Sequence, residues 1–320
     1  MPLRSFDPPR NALSGVARPP KPVLPLRDGV SASAVFCPSG PWPTLAAFLA
    51  ERLPRVADWP ARIAAGAVVD EQGAAVPDAP YLPQRRVFYW RALATEPEIP
   101  FAERIVFQDE HLLVADKPHF LPVTPGGLYV QQSLLTRLRR MTGLAALSPL
   151  HRLDRETAGL VVFGLRAAER GAYQALFRDR AVGKVYEAIA PLGPGPWPRT
   201  LRHRLVEPDG DTFMQMQVVP GEPNAETWVD LIEPLQGAQQ GLARYELRPH
   251  TGLKHQLRAQ MNAIGLPLLG DRIYPRLQPH EDPPRFDAPL QLVARALSFT
   301  DPITGAARAF SRGTATIAPP

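Results

Sequence analysis

The sequence predicts an α+β fold, in which a mainly antiparallel mixed β-sheet carries a few short helices and is preceded by a small α/β module. Three observations predict it. Strand-like apolar runs follow one another across short polar or Gly/Pro turns, helical patterns are few and short, and the two do not alternate as regular β-α-β units. A chain of 320 residues has room for one large domain and an accessory one.

Taken in order, residues 1–35 are rich in Pro and Arg and predict an N-terminal arm without a packed element. Residues 36–95 predict the small module. "TLAAFLAERL" repeats apolar residues at helical spacing behind Thr44, a ready N-cap. "DWPARIAAGAVVDEQG" predicts a second short helix, a turn at Gly66 and a strand through Val68 and Val69, and "RRVFYWR" predicts another strand over residues 85–91. "TEPEIP", residues 95–100, reads as the linker to a main domain over residues 96–320.

Within the main domain, "RIVFQDEHLLVADKP" holds two strand-like runs around a polar turn at residues 108–110. "YVQQSLLTRLRRMTGL" is helical and puts Arg137 and Arg140 on one side. Strands follow at residues 160–163 and 184–189, on either side of a helix at 167–177. "MQMQVV", "AETWVDLIEP", "GLARYELRP", "QLVARALSFT" and "ARAFS" add further strands, and "LKHQLRAQMNAIG", residues 253–265, predicts a helix ending at a glycine cap.

Composition narrows the chemistry. The 36 basic residues against 31 acidic ones, with a pI near 9.6, permit a polyanionic partner without requiring one. Lysine occurs only at Lys21, Lys117, Lys184 and Lys254, so arginine supplies nearly all the positive charge. Cys37 is the single cysteine, which excludes an internal disulfide framework and a cysteine-ligated zinc cluster and fits a reducing compartment. The amino terminus lacks a continuous apolar signal segment, and no apolar run approaches the roughly 20 residues that span a bilayer. The expectation is a cytoplasmic protein.

Three segments carry the candidate chemistry. In "HRLDRETAG", residues 151–159, Asp154 lies among His151, Arg152 and Arg155, and adjacent positive charge favours the ionised carboxylate, a state suited to nucleophilic or base catalysis. An ordinary surface ion network accounts for the same nine residues equally well. In "ELRPHTGLKHQLRAQ", His250, Lys254, His255 and Arg258 can approach a common anion beside a helix N-terminus. The two histidines are equally readable as buried hydrogen-bonding residues, and their spacing does not make a zinc site. In "GKVYEAIA", Lys184, Tyr186 and Ala188 share one face of a strand, where Tyr186 either stacks on a base or packs as an ordinary core tyrosine.

"HRLDRETAGLVVF" resembles the signature of the RluA-type pseudouridine synthases. The likeness extends in consistent order through "DEHLLVADKP", "KVYEA", "TGLKHQLRAQMNAIGLPLLGDRIYP" and "LQLVARALSFTDPITG". The resemblance implies a pseudouridine synthase catalytic domain that isomerises uridine in structured RNA. Ribosomal RNA is the first expected target and transfer RNA the alternative; a non-catalytic RNA-binding protein and a nucleoside hydrolase are the competing readings.

By the same resemblance Asp154 is the essential carboxylate, Arg258 pairs with it, and Tyr186 packs against the reacting base. Arg152 helps to organise the catalytic loop, Leu257 forms part of an apolar floor, and His255 and Gln256 support the later loop. For RNA contact the candidates are Arg152, Arg155, Arg137 and Arg140, with Arg85, Arg86 and Arg91 of the small module. A solvated helix face is the plainer account of Arg137 and Arg140.

Four departures from the family pattern stand out: Ala158 replaces a common serine, Leu253 an arginine, Gln260 a histidine and Pro275 a glycine. They bear on RNA specificity more than on the reaction. The small module resembles, more distantly, an S4-type RNA-binding domain. The reaction breaks the N1 glycosidic bond and joins C5 to the same ribose carbon, with no redox change and no hydrolysis, so neither cofactor nor metal is expected. The enzyme is expected to act as a monomer.

Overall fold

The computed structural model describes residues 24–54, 56–93, 95–208, 214–279, 281 and 283–313. The expected N-terminal arm lies outside the described residues as far as residue 23. The chain forms two compact units. One includes Ser33–Tyr89, and the other comprises Leu26–Ala32 with everything from Trp90 onward. The division between the units falls between Tyr89 and Trp90, and Arg91 belongs to the larger unit.

The smaller unit runs β1 (Ala32–Cys37), α1 (Leu45–Arg52), α2 (Trp59–Ala64), β2 (Val68–Val69) and β3 (Arg85–Trp90), with β3 central in a three-stranded sheet. Thr44 caps α1 as expected, its hydroxyl accepting the Ala47 N–H at 3.1 Å. Strand β1 straddles the expected boundary between arm and module at residues 35 and 36. Its Ala-Ser-Ala start has weak strand propensity, and only the buried Cys37 packs firmly with Leu45, Phe48, Leu49, Trp59 and Val87.

The larger unit contains β4 (Arg104–Gln108), β5 (Leu112–Lys117), α3 (Leu134–Thr142), β6 (Ser148–Pro149), β7 (Ala158–Gly164), α4 (Arg170–Arg178) and β8 (Gly183–Pro191). It continues with β9 (Arg199–Val206), β10 (Gln217–Val219), β11 (Ala225–Pro234), β12 (Leu242–Pro249), α5 (Gln256–Ala263), β13 (Leu292–Thr300) and β14 (Ala307–Ser311). Among the described residues they make an 11-stranded sheet with the path β10-β9-β11-β12-β8-β13-β7-β5-β4, to which β14 adds at β13 and β6 at β7. The fold is the mainly antiparallel mixed sheet that the sequence predicts. Its single parallel ladder among the described pairs joins β13 to β7 through Val293 and Ala158 and through Ala294 and Gly159.

Period-two alternation divides the core. Leu113, Ala115, Val161 and Phe163 face α3, whereas Leu112, Val114, Leu160 and Val162 pack with Tyr173 of α4 on the other face. Helix α5 lays Leu257 and Met261 on Ala188, Val229, Tyr245 and Leu247. Strand β9 was not foreseen, because its Thr-Leu-Arg-His-Arg-Leu run buries Leu201 and Leu205 alone and leaves charged residues outward. Helix α5 starts at Gln256, not Leu253, because residues 251–255 are held in a turn by Gln256: its Oε1 accepts the Thr251 hydroxyl at 2.7 Å and the Leu253 N–H at 3.1 Å.

The crossing of β7 and β13 is tight. Gly159 has φ 117°, and a Cβ there would lie 2.2 Å from the Ala294 carbonyl oxygen. Gly159→Ala is expected to cost about 2–3 kcal/mol, from the unfavourable φ and the forced backbone shift. Urea denaturation measures it, and an unchanged midpoint contradicts the account. Ala158 beside it is fully buried with Ile189 and Val293, so the replaced serine is a core position and not an RNA contact.

His111 offers a pH test of the same region. Its Nδ1 lies 3.0 Å from the Glu169 carboxylate, which raises the imidazole pKa, with Glu110 adding to the effect. A raised folded-state pKa contributes stability that is full below the unfolded value of about 6.5 and is lost as pH climbs through the folded one. The stability gap between wild type and His111→Gln should therefore narrow from pH 5.5 to pH 8.5. A gap that widens would refute it.

Candidate active site

Asp154 sits in the loop between β6 and β7, and its backbone carbonyl accepts the Thr157 N–H at 3.2 Å to close a turn. The parallel ladder brings this loop beside β8 and the start of α5. There, residues of "HRLDRETAG", "KVYEA" and "TGLKHQLR" line one cavity of about 610 Å³. Asp154, Tyr186, Arg258, Leu257, Arg152 and Arg155 all line it.

Arg258 is 1% exposed, and its Nη1 donates to Asp154 Oδ2 at 3.1 Å. Its other edge donates from Nε and Nη2 to the Asp271 carboxylate at 2.8 and 2.7 Å. Asp271 is itself fully buried and also accepts the Ile273 and Tyr274 N–H groups at 2.8 and 3.0 Å. Burial works against the guanidinium charge, but the two carboxylates outweigh it and the pKa rises. Arg258 is thus a fixed cation that presents one N–H to Asp154, and the sequence signal for Asp271 was a lone carboxylate in the apolar "LLGDRIYP".

Tyr186 is pushed up in pKa by burial and then by the Asp154 charge, so its hydroxyl keeps its proton. Leu257 is 7% exposed and packs under the cavity as an apolar floor. Lys184 donates to the Thr251 carbonyl at 2.9 Å, and burial draws its ammonium down to about 8. His151 stacks on Phe177 with centroids 4.6 Å apart, accepts the Val162 N–H at Nε2 and is held neutral by burial, its pKa brought down to about 3.

Lys117 was missed as a contributor. It is fully buried at the end of β5, and its ammonium donates to the carbonyls of Pro118, Leu121 and Arg155 at 2.9, 2.8 and 3.0 Å. Burial lowers its pKa to about 7, and the nearby Glu156 and Asp154 oppose that shift. It ties the Asp154 loop to the strand beneath. The signal was a lone lysine before a proline, in a chain with few lysines.

Several expectations change. His250 is exposed and does not line the cavity, and Lys254 pairs with Glu207. Of the expected anion-binding group, Lys254, His255 and Arg258 line the cavity, and the anion that His255 and Arg258 meet is the protein's own Asp154. Arg137 is not free for RNA: its guanidinium is mostly buried and bonds Glu103, Gln132 and the carbonyls of Ile99 and Phe101. Arg140 is exposed and pairs at 3.8 Å with Asp28. Arg155 pairs with Glu156, while Arg152 is exposed at the cavity. Gln260 is fully buried in hydrogen bonds with Thr227, Leu201 and Ala225, so the histidine it replaces is an interior position. Leu253 is 37% exposed on the cavity wall. Of the departures at 158, 253 and 260, it is the one that faces the cavity.

Residues 111–263 match the family model described as RNA pseudouridylate synthase. The chain is 30% identical over 223 residues to an RNA pseudouridine synthase of Synechocystis sp., covering 68% of this chain and 73% of that protein. It is 33% identical over 219 residues to the dual-specificity RNA pseudouridine synthase RluA of Salmonella typhimurium, covering 64% of this chain and 90% of that one. Among solved structures, human RNA pseudouridylate synthase domain containing 4 superposes with a TM-score of 0.50 at 29% identity, over 65% of this chain and 87% of that one. Human RNA pseudouridylate synthase domain containing 1 gives 0.56 at 22% identity, over 68% and 86%, a likeness of fold.

Proposed function

The chain belongs to the RluA-type RNA pseudouridine synthase family and isomerises uridine in RNA to pseudouridine, and from that premise we propose that Asp154 initiates the reaction in the cavity it shares with Arg258 and Tyr186. The observation that carries the proposal is the cavity's charge plan. One ionisable carboxylate on its wall meets a buried, permanently charged guanidinium 3.1 Å away, over an apolar floor.

The target uridine leaves its stack and enters this cavity. Arg258 holds Asp154 aligned through its Nη1–H at 3.1 Å, and Asp154 acts at the ribose while N1–C1′ breaks. Tyr186 and Leu257 hold the detached uracil in a dry pocket as it turns, which favours recombination over hydrolysis. Exposed Arg152 and Arg155 contact the RNA backbone at the mouth, with Arg140 farther out. The smaller unit, with its two helices and three strands, serves as an S4-like RNA contact carrying Arg85 and Arg86.

The proposed target lies in ribosomal RNA, and the enzyme is proposed to act as a cytoplasmic monomer. Transfer RNA is the second reading. Pseudouridine maps of RNA from cells with and without the chain test both. Loss of a ribosomal site is expected, and loss of a transfer RNA site alone overturns the first reading.

A further inference from the structure

Uridine isomerisation has a second half beyond the step at the ribose. C5 must lose its proton and N1 must gain one, because the bonds broken are N1–C1′ and C5–H and those formed are C5–C1′ and N1–H. A proton acceptor is therefore needed beside the rotated uracil.

The groups around the cavity narrow the choice. Arg258 stays charged, and Tyr186 is held as a phenol. Lys184, at about 8, is mostly ammonium at neutral pH and donates to Thr251. His151 is neutral, but its Nε2 already accepts the Val162 N–H at 3.1 Å.

His255 is different. Its side chain is 10% exposed and lines the cavity, with Nε2 3.9 Å from Asp154 Oδ2. Its Nδ1 is buried without a hydrogen-bond partner. A histidine that merely supported a loop would have its ring tied to the protein, as His119 is to the Glu156 carbonyl at 2.8 Å. His255 also has φ 51°, a left-handed conformation in which a side-chain-bearing residue is held only by its surroundings and which gathers at functional sites.

We propose that His255 accepts the proton from C5 and returns it to N1. The electron pair of the C5–H bond becomes the C5=C6 bond, the N1=C6 π pair moves onto N1, and N1 takes the proton from the imidazolium. The Asp154 carboxylate, released from the ribose by then, stabilises that imidazolium from 3.9 Å away. Burial lowers the resting pKa of His255, with Arg258 and Lys254 acting in the same direction and Asp154 and Asp271 against it, so the ring enters the step neutral. The role rests on the placement of the reacting uridine at Asp154.

The test uses bulk RNA from cells lacking the chain, grown on uridine with protium or deuterium at C5. Pseudouridine formation is followed by nucleoside mass spectrometry at excess enzyme. Wild type should convert both RNAs at one rate. His255→Gln should be slower by about 10²-fold or more, with a primary isotope effect appearing, because C5 deprotonation has become rate-limiting. A loss of structure alone does not create that isotope effect. Should the glutamine protein fail to fold, His255→Ala with added imidazole is the second test. Rescue of the rate is expected, and its failure overturns the role. No pseudouridine from the wild-type protein overturns the isomerase reading and this role with it. Conversion by His255→Gln that is unslowed, or slowed without an isotope effect, overturns the role of His255 alone.

Discussion

Asp154→Asn is expected to abolish pseudouridine formation, with a fall on the order of 10⁴- to 10⁶-fold in the single-turnover rate, while the protein folds and binds RNA nearly as wild type does. The amide preserves the shape of the side chain and can still accept the Arg258 Nη1–H, now at 3.1 Å from Oδ2. It cannot act as a carboxylate nucleophile or base. Folding survives because Arg258 retains its two bonds to Asp271. Nucleoside mass spectrometry of treated RNA and a filter-binding titration make the two measurements. Conversion within tenfold of wild type would remove Asp154 from the chemistry.

Asp271→Asn should damage both stability and rate. It leaves a guanidinium that is 1% exposed without its bidentate carboxylate, and breaking a buried pair of this kind costs about 3–5 kcal/mol. The freed guanidinium no longer fixes Asp154, and a misplacement of that order costs about 10²-fold in turnover, with KM nearly unchanged because Asp271 does not line the cavity. Asp301→Asn is the matched control. Asp301 is equally buried and pairs with Arg308 and Tyr173 on β14 and α4, away from the cavity. It should lose stability and keep its rate once folded. Equal rates in the two variants would show that Asp271 has no part in aligning the site.

Much of this was legible in the sequence where the signal is local. Thr44 before an apolar helical repeat, the continuous apolar runs of β5 and β7, the alternation in β12, and the polar turns between strands are patterns that neighbouring residues write for themselves. Strands β1 and β9 escaped because alanine, serine and arginine dominate them. Asp271 and Lys117 escaped for another reason: each looks like an ordinary surface charge until the fold buries it.

The departures at positions 158, 253 and 260 make the same point. In sequence they are three equivalent doubts about RNA choice. In the fold, Ala158 and Gln260 are wholly interior and Leu253 alone faces the cavity. Arg137 and Arg140 likewise look interchangeable on a helix face, yet one is locked into Glu103 and Gln132 and the other is exposed.

By itself the sequence determined the family and the sheet-dominated fold and pointed to Asp154, Tyr186 and Arg258 as the candidate site, because order and spacing of short motifs are properties of the chain alone. Only the tertiary structure decided which charges meet. Asp154 and Arg258 lie 104 positions apart, and their encounter depends on the parallel register of β7 with β13. That register is set by packing and hydrogen bonding between distant strands, which no local pattern encodes. The same packing drives Asp271 and Lys117 into the interior and leaves the His255 ring beside Asp154.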